Sequence, residues 1–411
     1  MRRVLIVAYF FPPIGGIGSI RLARFANHLP DAGWEPTVLA PRDTPQPLDL
    51  DLEFPEQKVI RSHSIEFSGV GRAVAGGNGE RPATRGRGAL RDALRVAGHR
   101  YLLYPDPQIG WYPGAVIAGL RALRRQRFDV IYSSSGPMTA HLVARTLSRR
   151  AQIPWVAEFR DPWSYRLPPQ FPYRRRAAAL EDAIGSRATG VIAPTPTLVQ
   201  YYARRWSREI ALLPNGHDGR APSARRPSHA TLTHLGTYYP GGQSFRPLWA
   251  ALAALHRTQP SDVPRIRFIG ELPDALRDEL AAFGLSHLVE VTGFLPHDEA
   301  MRRMASSSML ICSGFARGGS LSGAALPAKL FDYLASGLPI LYLGHPTDDS
   351  AQLLQGQPGC YIVAPSDVSG AADALQHALE APGPYQRHLE DSSPPARARA
   401  LAETLDRAAR A

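Results

Sequence analysis

Lys329 and Asp332 are the residues of this sequence whose types and spacing best suit chemistry. They lie three positions apart in the segment 327–336, PAKLFDYLAS, in which Leu330 and Leu334 recur at helical spacing. The pattern therefore predicts a cation and a carboxylate on the polar side of one short helix. Because the backbone N–H groups at a helix start favour anions, the pair suits a phosphorylated ligand that also carries free hydroxyl groups.

The residues around this pair predict where the helix begins and ends. Pro327 suits the first turn, where its missing N–H is not needed. Gly337 supplies a C-terminal stop, and Pro339 prevents the helix from resuming. The apolar run 340–343 then predicts a strand buried on both faces. An ordinary amphipathic helix with a solvated lysine and aspartate is the alternative, and the rest of the chain has to decide between them.

The totals predict a two-domain protein without a membrane span. A length of 411 residues favours two domains, and no run of about 18 apolar residues occurs. The start, MRRVLIVAYFFPP, lacks a small-residue cleavage site and leads into a glycine turn, so it is interpreted as a first strand. Cys312 and Cys360 are too few for a disulfide framework or a metal site. A cytoplasmic location is the expectation.

The charge favours anionic partners. The formal net charge is +11 and the pI is about 9.9, which fits nucleotides, phospholipid surfaces or nucleic acid. Only Lys58 and Lys329 are lysines, so nearly all the positive charge is arginine. A compact ammonium group at a predicted helix start is therefore distinctive in this chain.

The N-terminal third begins with a βαβ pattern. Val4–Phe10 predicts a buried strand, and a glycine-rich turn, a helix and a second strand follow it. The dinucleotide fingerprint G-x-G-x-x-G fails because Arg21 occupies its last position, so no hydride chemistry is implied. The N–H groups of the turn at Gly15 and Gly16 could face an anion or a sugar hydroxyl, and a plain tight turn is the alternative.

Three further candidates follow predicted strands. His141 begins a helix after the strand 129–132, where a structural histidine is the commoner case. Arg160 and Asp161 follow the strand 154–159. All three lie near the carboxyl edge of an open parallel sheet, the usual ligand edge. Asp161 is also interpreted as a helix N-cap followed by proline at the first helical position.

The chain resembles family 4 of the GT-B glycosyltransferases. The resemblance rests on PAKLFDYLAS at 327–336, EFRDPW at 158–163 and PNGHD at 214–218. It implies two Rossmann-like α/β domains that face each other across a cleft. The predicted divisions are a first, acceptor-side domain at 1–216, a linker at 217–229, a nucleotide-sugar-binding domain at 230–395, and a last helix at 396–411 that crosses back to the first domain.

The same resemblance implies roles for individual residues. Asp332 would bind ribose and Lys329 diphosphate, with Leu330 beside them on the donor side. The backbone of Leu295, in the segment GFL, would hold the base. The remaining roles are phosphate or sugar contacts for Gly15 and Gly16 and acceptor-side roles for Arg160 and Asp161. Arg160, Asp161 and His141 are the candidate catalytic residues, His141 by its position alone.

Two positions depart from the family pattern. Family members usually place an arginine and a lysine in the first loop of the second domain, whereas this chain has GTYYPGGQSFR at 236–246. The family also has a glutamate eight positions before Asp332, where this chain has Ala324. Lys329, Arg317 and Arg246 are the substitute cations for the donor diphosphate. The resemblance implies no metal and no cofactor.

The function implied is sugar transfer from a nucleotide-sugar to an acceptor hydroxyl or amine, with retention of anomeric configuration. The acceptor would belong to polysaccharide, glycolipid or natural-product biosynthesis. One alternative is a pseudo-glycosyltransferase that uses a nucleotide-activated cyclitol or another non-sugar donor. Another is a non-catalytic nucleotide-sugar-binding partner protein.

A glycine- and arginine-rich segment at about 70–95 is predicted to be a mobile loop. Its arginines could contact anionic lipid at the inner membrane face or an anionic acceptor, and a solvated basic loop is the alternative. Few aromatic residues are interleaved with them to stack bases, so nucleic acid is not an expected partner. The arginines are Arg81, Arg85, Arg87, Arg91 and Arg95.

Overall fold

The computed structural model describes residues 1–42, 44, 54–65, 103–168, 171, 173–217, 227–315, 321–381 and 383–411. Contacts divide the chain into two compact units. The first comprises Met1–Pro194, Val199–Leu213 and Ala398–Ala411, and the second comprises Thr195–Leu198 and Pro214–Arg397. The segment predicted to be a basic loop and most of the predicted linker lie outside the described residues.

The first unit contains a parallel sheet of strand order β3-β2-β1-β4-β5-β6-β7. The strands are β1 (Arg2–Val7), β2 (Trp34–Pro41), β3 (Val59–Ser62), β4 (Val130–Ser134), β5 (Trp155–Glu158), β6 (Gly190–Ala193) and β7 (Ala211–Leu212). The helices are α1 (Ile17–His28), α2 (Tyr112–Arg125), α3 (Thr139–Ala151), α4 (Trp163–Arg166) and α5 (Arg174–Gly185), followed along the chain by α6 (Pro196–Trp206).

The core of the first unit explains its unbroken apolar strands. Val4 and Ile6 of β1 have no exposed surface and pack in the same cluster as Leu22 of α1. Helices cover both faces of a parallel sheet, so its strands are apolar on both sides. The last helix of the chain, α13 (Pro394–Arg410), adds Leu401 and Leu405 to this same cluster.

The second unit contains a parallel sheet of strand order β10-β9-β8-β11-β12-β13. The strands are β8 (Thr231–Leu235), β9 (Arg265–Ile269), β10 (Val289–Val291), β11 (Met309–Ser313), β12 (Ile340–Leu343) and β13 (Cys360–Val363). The helices are α7 (Arg246–Thr258), α8 (Asp274–Ala282), α9 (His297–Ala305), α10 (Ala328–Ser336), α11 (Asp349–Leu354) and α12 (Val368–Glu380). The two parallel sheets with their helices confirm the predicted α/β class.

The segment that contains Lys329 folds largely as predicted. Helix α10 begins at Ala328, so Pro327 immediately precedes the helix instead of lying inside its first turn. Gly337 ends it with φ of 70°, a left-handed conformation that glycine adopts without steric penalty. Strand β12 follows and is buried along its whole length.

No helix in the described ranges combines the length and apolar character that a membrane crossing requires.

Candidate functional site

Lys329, at the start of α10, contacts the end of β8. Its Nζ atom lies 3.1 Å from Nε2 of His234, a residue with no exposed surface. The other ring nitrogen, Nδ1, lies 3.2 Å from the carbonyl oxygen of Ile311. Because a carbonyl oxygen only accepts hydrogen bonds, Nδ1 carries the proton. Nε2 therefore accepts a hydrogen bond from the amino group of Lys329.

Burial of this pair determines its electrostatics. Burial, reinforced by the charge on Lys329, holds the pKa of His234 well below its ordinary 6.5, so the imidazole is neutral at pH 7. Burial also lowers the pKa of Lys329. In the part of the chain that the structure describes, no carboxylate forms an ion pair with Lys329, whereas Lys58 pairs with Glu35 at 2.6 Å. An anionic ligand would therefore supply the missing counter-charge at Lys329.

The start of α10 adds partial positive charge at the same place. No side chain caps this helix start, so its first N–H groups have no side-chain acceptor. Asp332 follows one turn later and is half-buried. Leu330 has no exposed surface, and its N–H donates to the carbonyl of Pro327. Leu330 therefore belongs to the core, and its place among the donor-binding residues stays a prediction.

The loop after β8 is closed by Gln243, near where family members carry cations. The Gln243 side chain is buried, accepts a hydrogen bond from the Tyr239 N–H at 2.9 Å and donates to the Ser313 carbonyl at 3.1 Å. The hydroxyl of Tyr238 donates to the backbone carbonyl oxygen of Gln243 at 2.6 Å. The amide thus ties this loop to the end of β11.

The two other predicted phosphate cations have different outcomes. Nη1 of Arg246 lies 3.4 Å from Glu279 of α8, and its guanidinium lies 5.6 Å from the ring centre of Phe283. Arg246 is therefore engaged with α8 and its C-terminal end. Arg317 lies outside the described residues. The diphosphate roles of Lys329, Arg246 and Arg317 stay predictions.

Leu295 lies at the same edge of the second sheet, in a loop held by close backbone contacts. Gly293 pairs with Gly270 in an isolated antiparallel bridge. A Cβ atom on Gly270 would lie 2.8 Å from the carbonyl oxygen of Gly236, so the loops after β8, β9 and β10 approach one another through glycines. Leu295 is half-buried against the core, and its neighbour Phe294 is 67% exposed. The loop thus presents backbone and one aromatic ring to solvent.

In the first unit, Arg160 joins two turns at the carboxyl edge of the sheet. Its Nε donates to the Ser135 carbonyl at 2.7 Å and its Nη2 to the Gly136 carbonyl at 3.1 Å. A Cβ atom on Gly18 would lie only 2.2 Å from Nη1 of Arg160. The guanidinium therefore fills the space between the turn after β4 and the first turn of α1. Arg160 organises this edge through backbone contacts.

The glycine turn before α1 has the shape that the sequence predicts. Gly16 precedes the helix with φ of 101°, a conformation that other residues rarely adopt. Gly16 is exposed and Gly15 is half-buried. Among the described residues, no atom lies within 4 Å of a Cβ atom placed on Gly16, so they leave space in front of this turn.

Asp161 is exposed but does not cap a helix. Its side chain is 51% exposed and pairs with Nη1 of Arg166 at 2.7 Å. Helix α4 begins at Trp163, Pro162 occupies the cap position, and no side chain caps it. The predicted N-cap role of Asp161 is therefore wrong. Its carboxylate remains accessible at the edge that also carries Arg160.

His141 lies in the core of the first unit. It has no exposed surface, and its Nδ1 lies 2.8 Å from the hydroxyl of Ser133, which also accepts a hydrogen bond from the Trp155 indole at 2.7 Å. Burial lowers the pKa of His141 to about 3, so the ring is neutral. With no exposed surface His141 offers no contact to a substrate, so we leave it out of the catalytic group.

The sequence analysis missed a buried network beneath the Arg160 edge. Arg21 donates to Oε1 of Glu158 from Nε at 2.9 Å and from Nη2 at 2.6 Å. Oε2 accepts hydrogen bonds from the hydroxyls of Tyr132, at 2.6 Å, and Ser134, at 2.5 Å. Burial opposes ionisation of Glu158, but Arg21 and the two hydroxyls outweigh it and lower its pKa. The arginine that breaks the dinucleotide fingerprint thus serves this network.

The sequence also carries no signal for Asp106, which joins two distant parts of the first unit. Its carboxylate accepts hydrogen bonds from the N–H of Thr139 at 2.9 Å and from the Thr139 hydroxyl at 2.6 Å. It thereby caps the start of α3 from a distant part of the chain. Burial raises the pKa of Asp106 to about 6, against the hydrogen bonds, which lower it.

A cavity of about 690 Å³ lies at the opposite edge of the first sheet, lined by Arg2, Asp129, Arg410 and the ends of α2 and α3. Ligands of open parallel sheets bind at the carboxyl edge. We therefore place one candidate site in each unit, at the loops around Lys329 in the second unit and around Arg160 in the first, and none in this cavity. Within the described ranges, no group of three or more potential metal ligands occurs.

Comparison with known proteins gives a family for the first unit and a fold for the whole chain. Residues 15–216 match the family model of the glycosyl transferase 4-like domain. Sucrose-phosphate synthase from Thermosynechococcus elongatus is 16% identical, with a TM-score of 0.59 over 99% of this chain and 94% of that chain. No curated protein sequence matches significantly.

Two further solved structures have the same fold. The lipopolysaccharide outer core galactosyltransferase WaaB is 12% identical, with a TM-score of 0.57 over 99% of both chains. HepE from Anabaena, solved in complex with UDP-glucose, is 16% identical, with a TM-score of 0.58 over 98% of this chain and 95% of that chain. At such low identity each likeness concerns the fold alone.

The fold and the matched domain together define a glycosyltransferase of the GT-B class. Its residues 15–216 belong to the glycosyl transferase 4-like family. The predicted fold class and the predicted enzyme class are thereby confirmed.

Proposed function

We propose that this enzyme transfers a sugar from a nucleotide-sugar donor, bound at the carboxyl edge of the second sheet, to an acceptor hydroxyl or amine. The observation that carries the proposal is the position of Lys329. Its amino group is oriented by a neutral imidazole at the uncapped start of α10, without a carboxylate partner in the described residues. This arrangement suits a diphosphate. The UDP-glucose complex of HepE, which has the same fold, supports this class of donor.

The proposed mechanism is electrostatic. As the bond between the sugar and the diphosphate breaks, negative charge grows on the leaving oxygen. Lys329 and the first N–H groups of α10 stabilise that charge, which lowers the barrier without a protein nucleophile. Asp332 accepts hydrogen bonds from the ribose hydroxyls. Transfer with retention of configuration and without a metal ion belongs to this proposal.

The acceptor is proposed to bind at the carboxyl edge of the first sheet. Arg160 fixes the two turns there, and Asp161 presents an exposed carboxylate that can orient a hydroxyl or an amine. Holding the acceptor in place supplies the second contribution to the rate.

A non-catalytic nucleotide-sugar-binding protein is the second candidate. It is favoured by Gln243, a neutral residue built into the loop that carries cations in related enzymes, and by the engagement of Arg246 with Glu279. Both readings predict donor binding, and only the enzyme predicts turnover. Product analysis with an accepted donor also distinguishes sugar transfer from cyclitol transfer.

The first experiment is a thermal-shift screen of UDP, ADP, GDP and their sugar derivatives. A ligand that binds the folded state at 100 times its Kd adds about 2.7 kcal/mol of stability. One nucleotide should raise the melting temperature of the wild type. Lys329→Ala and Asp332→Ala should lose the increase, whereas Lys58→Ala, which changes the other lysine of the chain, should keep it. If no nucleotide stabilises the wild type, the proposal is wrong.

A further inference from the structure

We infer that His234 is a positioning residue of the donor site, and that it directs the amino group of Lys329 toward the phosphate groups of a nucleoside diphosphate. The ligand named here rests on the proposed function. No sequence motif points to His234, because it lies in a short, mostly buried strand where a histidine is unremarkable. The contact joins two residues 95 positions apart in the chain.

The imidazole of His234 is held so that it offers one acceptor in one direction. Its Nδ1–H is fixed on the Ile311 carbonyl. Its ring packs against Phe245, Phe268 and Tyr238, with centroid distances of 5.3, 5.9 and 6.4 Å. Rotation of the ring would break the hydrogen bond and disturb this packing. The lone pair on Nε2 therefore points at Lys329 before any ligand binds.

A neutral acceptor suits this task better than a carboxylate. A lysine side chain has four rotatable bonds, and fixing them during binding lowers affinity. A carboxylate would also orient the lysine, but it would neutralise the ammonium and compete with phosphate. Imidazole orients the amino group and leaves its charge for the ligand. The pairing of Lys58 with Glu35 shows the alternative arrangement in the same chain.

The groups that face the pair from neighbouring elements add no counter-charge. Burial raises the pKa of the Cys312 thiol on β11, so it stays protonated at neutral pH. Burial likewise raises the pKa of Tyr333 on α10, whose hydroxyl accepts a hydrogen bond from the Leu235 N–H at 2.8 Å. Asp332, on the same helix, is the acidic residue nearest in sequence.

The chain offers a direct test because it contains only two lysines. In protein labelled with [13C,15N]lysine, two side-chain nitrogen signals are expected, and Lys58→Arg assigns them. His234→Leu removes the acceptor and keeps the site buried, so the Lys329 signal should titrate at lower pH than in the wild type. His234→Gln keeps an acceptor and should restore the titration. His256→Leu, the same change on α7, is the matched control and should leave it unchanged.

Affinity is measured on the same variants with UDP, ADP and GDP. His234→Leu should weaken binding of the preferred diphosphate about tenfold or more, as loss of a hydrogen bond to a charged group predicts. His234→Gln should recover most of this loss. Lys329→Ala combined with His234→Leu should bind no more weakly than Lys329→Ala alone, because His234 acts through Lys329.

The outcomes separate this inference from the proposed function. If His234→Leu changes neither the Lys329 titration nor the affinity, the inference is overturned. If His234→Leu changes the titration but no diphosphate shifts the Lys329 signal, diphosphate is not the ligand and the proposed function is wrong. The contact between His234 and Lys329 would still be supported. If His234→Leu does not fold, [15N]histidine labelling of the wild type and of Lys329→Met replaces it. An Nε2 signal that does not respond to Lys329→Met overturns the inference.

Discussion

Arg21 of α1 and Glu158 of β5 form a buried ion pair in which Nη2 and Oε1 are 2.6 Å apart, and both side chains are almost fully buried. Every polar atom of this carboxylate has a hydrogen-bond partner, so removing one member leaves a buried charge unpaired. We predict that Arg21→Met destabilises the first domain by about 3–5 kcal/mol. Urea unfolding, monitored on the first domain, measures this loss.

The double variant Arg21→Met, Glu158→Gln provides the control for that prediction. It removes both charges, so it should be clearly more stable than Arg21→Met alone. Additive losses in the two single variants would contradict the pairing.

Gly16 and Gly18 should resist substitution for different reasons. Gly16→Ala faces open space but has φ of 101°, so we expect a loss of about 1–2 kcal/mol from backbone strain. Gly18→Ala puts a methyl group against the guanidinium of Arg160. The loss of stability caused by Gly18→Ala should disappear when Arg160 is also replaced by alanine. The loss caused by Gly16→Ala should persist in that background. Chemical denaturation of the four variants tests this, and equal behaviour of the two glycines would refute it.

His141 should increase the slope of unfolding free energy against pH in acid. Its pKa is about 3 in the folded protein, below the ordinary 6.5, so only the unfolded chain takes up its proton in this range. The stability that it contributes is complete above pH 6.5 and is lost as the pH falls toward 3. We expect the slope of unfolding free energy against pH to drop by up to about 1.4 kcal/mol per pH unit in His141→Leu. Unchanged slopes between pH 6 and 4 would count against a buried neutral ring.

Asp106 should behave in the opposite sense. Its pKa is about 6 in the folded protein and 3.8 ordinarily, so the folded state holds the proton more firmly. Its effect on stability therefore becomes less favourable as the pH rises from 3.8 through 6. Asp106→Asn, which keeps an acceptor for Thr139, should gain stability relative to the wild type over that rise. Asp106→Ala should lose about 1 kcal/mol at pH 5 because the cap is gone. Thermal unfolding across this range checks both.

The sequence predicts best where local pattern and tertiary packing agree. The apolar run 340–343 is strand β12, and the helix before it ends at Gly337 as predicted. Leu330 shows the limit, because periodicity identified it as an apolar helix position and the resemblance then placed it in the ligand site. Its side chain is buried in the core, as the periodicity predicts, and its place beside the donor stays a prediction.

The contacts that the sequence did not predict concern side chains whose partners are set by the tertiary fold. Arg246 was a candidate by elimination, but a long side chain pairs with whichever carboxylate the fold brings near, here Glu279. Asp161 had the right neighbours for a helix cap, but α4 starts one residue later than that pattern requires. The role of His234 could not be predicted from the sequence, because its contact with Lys329 exists only when β8 and α10 pack together.

The route of α13 has a consequence for how the protein is made. Residues 398–411 complete the core of the first unit, which otherwise consists of the first half of the chain. During synthesis, the core of the first unit therefore stays incomplete until residues 398–411, which follow the second unit in the chain, have been made. Until residues 398–411 are made, the apolar side chains of the first unit that pack against Leu401 and Leu405 lack these partners. Truncation before residue 398 should thus destabilise the first unit, although most of that unit precedes the second in the chain.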